Sequence, residues 1–342
     1  MFANFSRRRQ NHNEITKRPG RVSLYVCLMA LCLASFAMGI KAHAAEKYVF
    51  ILPSLANPYW QTVKQGIEEN CKQIGVTPVV LSAISDQAKE EHLSLCQVAI
   101  SQKPAIIVLC TTTTAIGIQC LREAQDHGIK VAALDAFISV EEAKKSGVDL
   151  SFSIGTNNVT IGEKAAQFLA NKLKGSAPKV LILEGMVGSE AATDRVAGFK
   201  HELTKDLPGA TIVNSITADW DRLKALNITS DTLTRTPDLN VVFAANDMMA
   251  LGAVEAIRTA GKKNEILVVG VDGVPDARKA ILAGRMTASV AQLPYLIGKR
   301  SVELAKESVR GQCAGRTEKT PLLILTKAVL QSNADPLLKY VR

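Results

Sequence analysis

The sequence predicts an α/β protein made of two doubly wound parallel-sheet domains. Short apolar segments rich in Val and Ile, each four to eight residues long, alternate along the chain with helix-length amphipathic segments. The apolar segments do not alternate with polar residues, which is typical of strands buried on both faces of a parallel sheet. Ten such segments are too many for one domain of this size, so we expect two similar halves with five- or six-stranded sheets.

The predicted strands run in order from residue 48 to residue 292. They are YVFIL (48–52), PVVLS (78–82), AIIVLC (105–110), KVAALD (130–135), FSIG (152–155), KVLILEG (179–185), ATIVNSI (210–216), NVVFAAN (240–246), EILVVGVDG (265–273) and TASVAQ (287–292). A polar stretch, EEAKKSGVDLS, interrupts this rhythm and places the break between the halves near residues 145–157.

Nine amphipathic segments between these strands are predicted to be helices. They span 59–74, 86–102, 115–127, 158–174, 189–205, 219–235, 247–260, 275–284 and 294–310. Glycines that follow helical segments, such as Gly75 and Gly261, are typical stop signals. Asp86 and Asp219 stand where N-caps are expected.

The first 44 residues have the pattern of a Sec signal peptide. A basic region with Arg7, Arg8 and Arg9 precedes an apolar stretch from residue 24 to residue 40, and Ala42-His43-Ala44 forms an A-x-A cleavage site. We therefore expect cleavage and export to the periplasm. The alternative is a single transmembrane anchor, since the apolar stretch is near the lower length limit for spanning.

Charge and cysteine content exclude several classes of function. Residues 1–44 contain seven Lys/Arg and one acid, so the net charge of +9 falls to about +3 once they are removed, which gives no support to a nucleic-acid partner. Five cysteines remain, with no C-x-x-C spacing, so neither a dense disulfide framework nor a zinc site is indicated. We expect Cys71, Cys96 and Cys120 to be small buried hydrophobes.

Polar and aromatic side chains follow the strands, where ligands bind in open α/β sheets. They are Asn57, Tyr59, Trp60, Asp135, Arg195, Asp219, Trp220, Asp221, Asn246, Asp247, Asp272 and Gln292. Carboxylates, amides and a guanidinium pair well with neighbouring hydroxyl groups, and aromatic rings stack on the C–H faces of a sugar ring. The set therefore predicts a sugar site, with Tyr59 and Trp60 as one wall and Trp220 as the other.

Some of these residues have an alternative structural role. Tyr59 could pack in the core and leave only Trp60 exposed. Asp135 and Asp272 could cap helices. The same two carboxylates could also face one cleft as the acid and base of a glycoside hydrolase.

Several longer stretches resemble the periplasmic ribose-binding proteins of ABC import systems, within the type I periplasmic binding protein superfamily. The stretches are LANPYWQTVKQG, TADWDRLKALNI, VVFAANDMMALGAVEAIRTAGK, ILVVGVDGVPDARKAI and ASVAQLPYLIG. Carried over position by position, the resemblance implies a sugar site at Asn57, Tyr59, Trp60, Asp135, Arg195, Trp220, Asn246, Asp272 and Gln292.

The resemblance also implies an architecture and a mechanism. Residues 45–156 with 293–321 would form an N-terminal lobe, and residues 157–292 with 322–342 a C-terminal lobe, joined by three crossing segments. A monomeric protein without a cofactor would close this hinge on a monosaccharide or polyol and present it to an ABC permease in the inner membrane.

The sequence departs from the ribose-binding pattern at one end of the implied site. Ala136 stands where those relatives usually have Arg, Pro53 where they often have Ser or Lys, and Val271 where they often have Phe. Loss of the Arg removes up to five donors, so we expect a ligand other than ribose. The alternatives for the ligand are another pentose, a hexose, a ketose, a polyol or an inositol. Phe137 is available to fill the space that the Arg side chain would occupy.

Three other classes of function compete with transport. A sensory module that signals to a chemoreceptor or sensor kinase would have the same site. A sugar-responsive transcription regulator would need an N-terminal helix-turn-helix, where this chain has its signal peptide. A dehydrogenase would need a G-x-G-x-x-G turn, and GMVGSE at 185–190 lacks that spacing. We therefore expect a binding protein and not an enzyme.

Overall fold

The computed structural model describes residues 46–135, 138–262 and 265–342. The predicted signal peptide, together with Ala136 and Phe137, lies outside the described residues. Within the described ranges, none of the helices has both the length and the apolar character needed to span a membrane.

Strands alternate with helices through most of the described chain. The strands are β1 (Lys47–Ser54), β2 (Thr77–Ala83), β3 (Ile106–Leu109), β4 (Lys130–Leu134), β5 (Phe152–Gly155), β6 (Lys179–Glu184), β7 (Thr211–Thr217), β8 (Val241–Ala244), β9 (Leu267–Asp272), β10 (Ala288–Ala291), β11 (Arg316–Lys319) and β12 (Leu323–Leu325). The helices are α1 (Pro58–Ile74), α2 (Lys89–Ser101), α3 (Thr114–Asp126), α4 (Val140–Lys145), α5 (Asn158–Lys172), α6 (Glu190–Asp206), α7 (Arg222–Arg235), α8 (Asp247–Thr259), α9 (Pro275–Leu282), α10 (Pro294–Val309) and α11 (Lys327–Ser332), followed by a 3₁₀ helix (Pro336–Tyr340).

The strands form two six-stranded sheets of similar order. The first sheet runs β11-β5-β4-β3-β1-β2 and is parallel throughout, and the second runs β12-β10-β9-β8-β6-β7. In the second sheet only β12 is antiparallel to its neighbour. The prediction of two doubly wound α/β sheets is confirmed, and all ten predicted strands are present.

The chain passes between the two sheets three times. It crosses after β5, after β10 and between β11 and β12. The crossing segments are bonded to one another, since Thr320 donates to the carbonyl oxygen of Gly155 through both its backbone N–H (2.7 Å) and its hydroxyl (3.1 Å). The Thr156 hydroxyl, in the first crossing, donates to the side-chain oxygen of Gln292, in the second crossing, at a distance of 2.5 Å.

The core has three parts because both faces of each sheet are covered by helices. One apolar cluster covers one face of the first sheet, and a second covers one face of the second sheet. The third and largest extends over residues of both sheets and includes Leu293 at the second crossing. Ala, Val, Ile and Leu make up most of this interior, in keeping with the low aromatic content of 5%.

The last residues of the chain contact helices that pack on both sheets. Arg342 pairs with Glu69 of α1 at 3.0 Å and covers the ring of Tyr295 in α10. The carbonyl oxygen of Val341 accepts from Arg278 of α9 at 2.9 Å. The end of the chain therefore bridges the two halves of the molecule.

Several local predictions are wrong. The polar stretch near residue 145 includes a short helix, α4, and two short strands, β11 and β12, were missed. Asp86 and Asp219 do not cap helices, because α2 begins after Ala88 and the side chain of Asp221 caps α7. Cys96 and Cys120 are joined in a disulfide between α2 and α3, with their Cα atoms 5.7 Å apart, whereas Cys71 is free and buried as expected.

Candidate functional site

The carboxyl ends of strands from both sheets enclose one cavity. It holds about 470 Å³ of space not occupied by atoms, part of which is open to the solvent. All nine residues of the predicted site line it: Asn57, Tyr59, Trp60, Asp135, Arg195, Trp220, Asn246, Asp272 and Gln292. The structure thus brings together the whole predicted set.

Tyr59 and Trp60 stand at the start of α1 because Asn57 and Pro58 begin that helix. The side chain of Asn57 accepts from the backbone N–H of Tyr59 at 3.0 Å, as an N-cap does. The two rings meet edge to face, 4.7 Å between centroids. Tyr59 is buried in the core as the alternative expected, but it also lines the cavity, and Trp60 lines the same cavity while only 5% exposed.

Trp220 forms the opposite wall from the second sheet. Asp219 and Trp220 both have positive φ angles, 52° and 63°, which turn the chain sharply after β7. The indole ring lies against Gly185, where a Cβ atom would overlap it. The Arg195 guanidinium stands 5.7 Å from the centre of the ring.

Arg195 is held from two directions and is almost fully buried. Its Nε donates to the side chain of Asn158 at 2.9 Å, and its Nη1 donates to the carbonyl oxygen of Ala245 at 2.8 Å. The Nη1 atom also lies 3.7 Å from Asp272. Its Nη2 donates to no other described residue, so its N–H groups can face a ligand in the cavity.

Asp135 and Asp272 supply carboxylates to the cavity from opposite sheets. The Tyr59 hydroxyl donates to Asp135 at 3.0 Å, and the Gln292 amide donates to Asp272 at 2.6 Å. Burial raises the pKa of Asp135 to about 7 and that of Asp272 to about 6, while the nearby Arg195 charge opposes both shifts.

Neither of these aspartates caps a helix. Ser139 caps α4 by accepting from Glu142, and α9 begins after Val274 without a side-chain cap. The helix-cap alternative for Asp135 and Asp272 is therefore wrong. Both residues have positive φ angles, 67° and 114°, which is strained for a residue with a side chain.

Asn246 caps α8 and at the same time lines the cavity. Its side chain accepts from the backbone N–H of Met249 at 2.9 Å, which leaves its amide N–H groups available. The next residue, Asp247, is fully buried and does not line the cavity. It accepts from the N–H groups of Gly273 and Val274 at 2.7 and 2.9 Å and thereby fixes the loop that presents Asp272.

Seven further lining residues are not among the nine of the predicted set. They are Pro53, Asp86, Thr111, Thr112, Met186, Ser189 and Ala191. Most follow β2, β3 or β6 directly or by a few residues, so the strand-end rule would have found several had it been applied to every strand. Among the described residues, no cluster of His, Cys, Asp or Glu is arranged to hold a metal ion.

Comparison with known proteins places this architecture in a family. The family described as "Periplasmic binding protein domain" matches residues 48–313. The D-allose-binding periplasmic protein of Escherichia coli (strain K12) is 33% identical over 298 residues, which cover 87% of this chain and 96% of that protein. The chain belongs to the periplasmic binding protein family.

Two other proteins similar to this periplasmic binding protein also belong to transport systems. The ribose import binding protein of Bacillus subtilis (strain 168) is 35% identical over 276 residues, covering 80% of this chain and 85% of the relative. A periplasmic solute-binding protein of an ABC transporter from Actinobacillus succinogenes 130z, solved with bound D-allose, superimposes with a TM-score of 0.79 at 28% identity, over 84% of this chain and 99% of that one.

The family membership decides between the classes of function considered above. These relatives are binding proteins of transport systems, so the prediction that the chain is not an enzyme is confirmed. The glycoside hydrolase and dehydrogenase alternatives are therefore dropped, and a separate chemoreceptor role is not favoured.

Proposed function

We propose that this protein binds a monosaccharide or a related polyol in the cavity between its sheets and delivers it to an ABC permease. The observation that carries the proposal is the composition of the cavity wall. Aromatic rings from both halves face the same space as carboxylates, amides and a guanidinium, which is the combination that a ring with several hydroxyl groups requires.

Each of the nine residues has a role in this proposal. Tyr59, Trp60 and Trp220 would cover the apolar faces of the sugar ring. Asp135 and Asp272 would accept hydrogen bonds from hydroxyl groups. Arg195, Asn57, Asn246 and Gln292 would donate to hydroxyl oxygens.

The two lobes would act as jaws that close on the ligand. We propose residues 45–156 with 293–321 as one lobe and residues 157–292 with 322–342 as the other, joined by the three crossings. A sugar favours closure only through contacts better made in the closed form. Because Asp135 and Asp272 come from opposite sheets, a sugar bonded to both supplies that difference.

The remaining proposals concern location and partners. We propose that residues 1–44 are a cleaved signal peptide and that the mature protein works in the periplasm as a monomer. The relative named as a D-allose-binding periplasmic protein supports this location. A permease in the inner membrane would receive the sugar, and a chemoreceptor would be at most an additional partner.

Thermal unfolding of the purified mature protein against a sugar panel tests the proposed function. The panel contains D-allose, D-ribose, D-arabinose, D-tagatose, D-fucose and myo-inositol. A ligand at 100 times its dissociation constant adds about 2.7 kcal/mol of stability.

We expect a clear shift with a sugar other than ribose, because Ala136 replaces the usual Arg. The shift should be lost in Asp135→Ala and Arg195→Ala and kept in Asp231→Ala, an exposed control. No shift with any member would contradict the proposal.

A further inference from the structure

Asp86 also lines the cavity and lies outside the nine residues of the predicted site. It stands in the loop between β2 and α2, three residues past the end of β2. Its Oδ1 atom is buried and accepts no hydrogen bond from any residue that the structure describes. A buried carboxylate oxygen without a hydrogen-bond donor raises the free energy of the protein. A ligand group that donates to this oxygen would therefore gain considerable binding free energy.

The loop that carries Asp86 is held against the opposite half of the molecule. The side-chain amide of Gln87 donates to the backbone carbonyl oxygen of Asp219 at 2.8 Å. Asp219 directly precedes Trp220, the aromatic wall from the second sheet. The position of Asp86 is thus fixed by a bond that crosses the cleft.

The cavity has more negative than positive charge. Asp86, Asp135 and Asp272 line it together with a single guanidinium, that of Arg195. Burial, and the nearby charge of Asp272, raise the pKa of Asp86 to about 6. The cavity therefore has a surplus of hydrogen-bond acceptors on its walls, and a hydroxyl-rich ligand supplies the matching donors.

We propose that Asp86 contacts the ligand and accepts a hydrogen bond from one of its hydroxyl groups, and so helps to decide which sugar is bound. This inference rests on the proposed function, because it assigns a further residue of the same site. It also implies that the site excludes acidic sugars, since an added anion would face three carboxylates. A hydroxyl group that reaches Asp86 is then a feature that distinguishes the true ligand from its isomers.

A series of monodeoxy sugars, measured by isothermal titration calorimetry, tests the contact. The parent sugar is the tightest binder of the panel above, and each derivative lacks one hydroxyl group. We expect one deoxy position to weaken binding to the wild-type protein by about tenfold or more, as for a hydrogen bond to a charged group. In Asp86→Ala the same deletion should change the affinity by less than about threefold.

Three further variants separate this contact from indirect effects. Asp86→Asn keeps the shape of the side chain and an acceptor oxygen but removes the charge, so the same deletion should cost less affinity than in the wild type; this variant serves if Asp86→Ala folds poorly. Gln87→Ala should weaken all sugars by a similar factor, because its bond is to the protein and not to the sugar. Asp231→Asn also removes one negative charge, but at an exposed position, and should leave every affinity unchanged.

The outcomes distinguish this inference from the proposed function. Each hydroxyl deletion could weaken binding by the same factor in the wild type and in both Asp86 variants. In that case Asp86 does not contact the ligand, and this inference alone is overturned. If no panel sugar binds the wild-type protein, both proposals are overturned together.

Discussion

At the scale of single residues, the carboxyl group of Asp135 opposes stability at neutral pH. Burial raises its pKa to about 7, from about 3.9 in an unfolded chain. A group with a raised pKa stabilises the fold fully below its unfolded pKa, and that contribution is lost as the pH rises towards 7. The fold therefore bears the cost of an ionised, buried carboxylate at the pH at which a sugar would use it.

Asp135→Asn should make the sugar-free protein more stable at pH 7.5, by up to roughly 4 kcal/mol. The gain should shrink towards pH 4, where the wild-type carboxyl is neutral. The same change should weaken sugar binding by about tenfold or more, because a charged acceptor is lost. Urea unfolding at pH 4.5, 6.0 and 7.5 measures the first effect and calorimetry the second. A variant less stable than wild type at pH 7.5 would contradict the assignment.

His92 has the opposite pH dependence. It is fully buried in α2, neither ring nitrogen has a hydrogen-bond partner among the described residues, and burial lowers its pKa to about 4. The unfolded chain takes up a proton near pH 6.5, so the fold loses stability as the pH falls from about 6.5 towards 4.

His92→Leu should remove this acid sensitivity. We expect the variant to gain about 1–2 kcal/mol relative to wild type between pH 7.5 and pH 5. The measurement is the difference in free energy of unfolding between the two proteins at each pH. An equal difference at both pH values would show that His92 does not titrate in this range.

At the scale of elements, two helices of the second sheet meet at glycines. A Cβ atom on Gly162 of α5 would overlap the carbonyl oxygen of Arg195 in α6, and one on Gly198 of α6 would overlap that of Val159 in α5. The close approach of these helices therefore positions Arg195 in the cavity. On the first sheet, Gly66 of α1 and Gly298 of α10 allow a similar crossing.

Gly162→Ala should destabilise the protein although alanine is the better helix former. The intrinsic gain is about 1 kcal/mol, but overlap with a backbone oxygen typically costs about 1–3 kcal/mol. The sugar affinity should fall as well, because relief of the overlap moves Arg195. Chemical denaturation and a sugar titration of the variant test both effects. A more stable variant with unchanged affinity would contradict this account of the crossing.

The disulfide between α2 and α3 is a second element-scale feature. Cys96 and Cys120 are 24 residues apart, and closing a loop of that length is worth about 3.5 kcal/mol in the chain-entropy model. The double variant Cys96→Ser, Cys120→Ser should lose about this much stability. Cys71→Ser serves as the control for a buried cysteine without a disulfide. Equal losses in the two proteins would indicate that packing, and not the cross-link, matters.

The elements that sequence predicted are those with a strong apolar pattern. All ten strands rich in Val and Ile are present, because buried parallel strands leave a continuous apolar run. β11, with the sequence RTEK, was missed because it is a charged edge strand. The Cys96–Cys120 pairing was missed because it depends on how α2 and α3 pack. The positions of the two cysteines in the sequence do not show that packing.

The site was predictable to a similar degree and for a related reason. Parallel strands point the same way, so residues that follow them converge on one edge, and all nine predicted residues line the cavity. Asp86 was missed because it lies in a loop three residues beyond its strand and was assigned a capping role instead. Which hydroxyl groups these residues bind depends on distances that the order of residues does not contain.

At the scale of the whole molecule, a chain of hydrogen bonds joins the crossing segments to the cavity. Thr156 donates to Gln292, and Gln292 donates to Asp272, which lies 3.7 Å from Arg195. Gln292 therefore belongs both to a crossing segment and to the cavity wall. A ligand that bonds to Asp272 acts on a group tied directly to the hinge.

Closure around a sugar should be visible as a change in the size of the molecule. We expect small-angle X-ray scattering to give a smaller radius of gyration with saturating sugar than without it, because the lobes approach each other. Identical scattering curves would exclude hinge closure.

The bond between Gln87 and Asp219 joins the two halves of the molecule without a sugar, so we expect it to stabilise the closed form of the proposed hinge. Gln87→Ala should weaken sugar binding by about threefold, the value of one exposed neutral hydrogen bond, mainly through faster dissociation. The matched control is Gln97→Ala, which removes an exposed glutamine whose partner, Glu123, lies on the same side of the cleft. Stopped-flow dissociation rates and equilibrium titrations measure both effects. Equal dissociation rates for the two variants would mean that the Gln87 bond does not stabilise the closed form, and that closure depends on the sugar and the hinge alone.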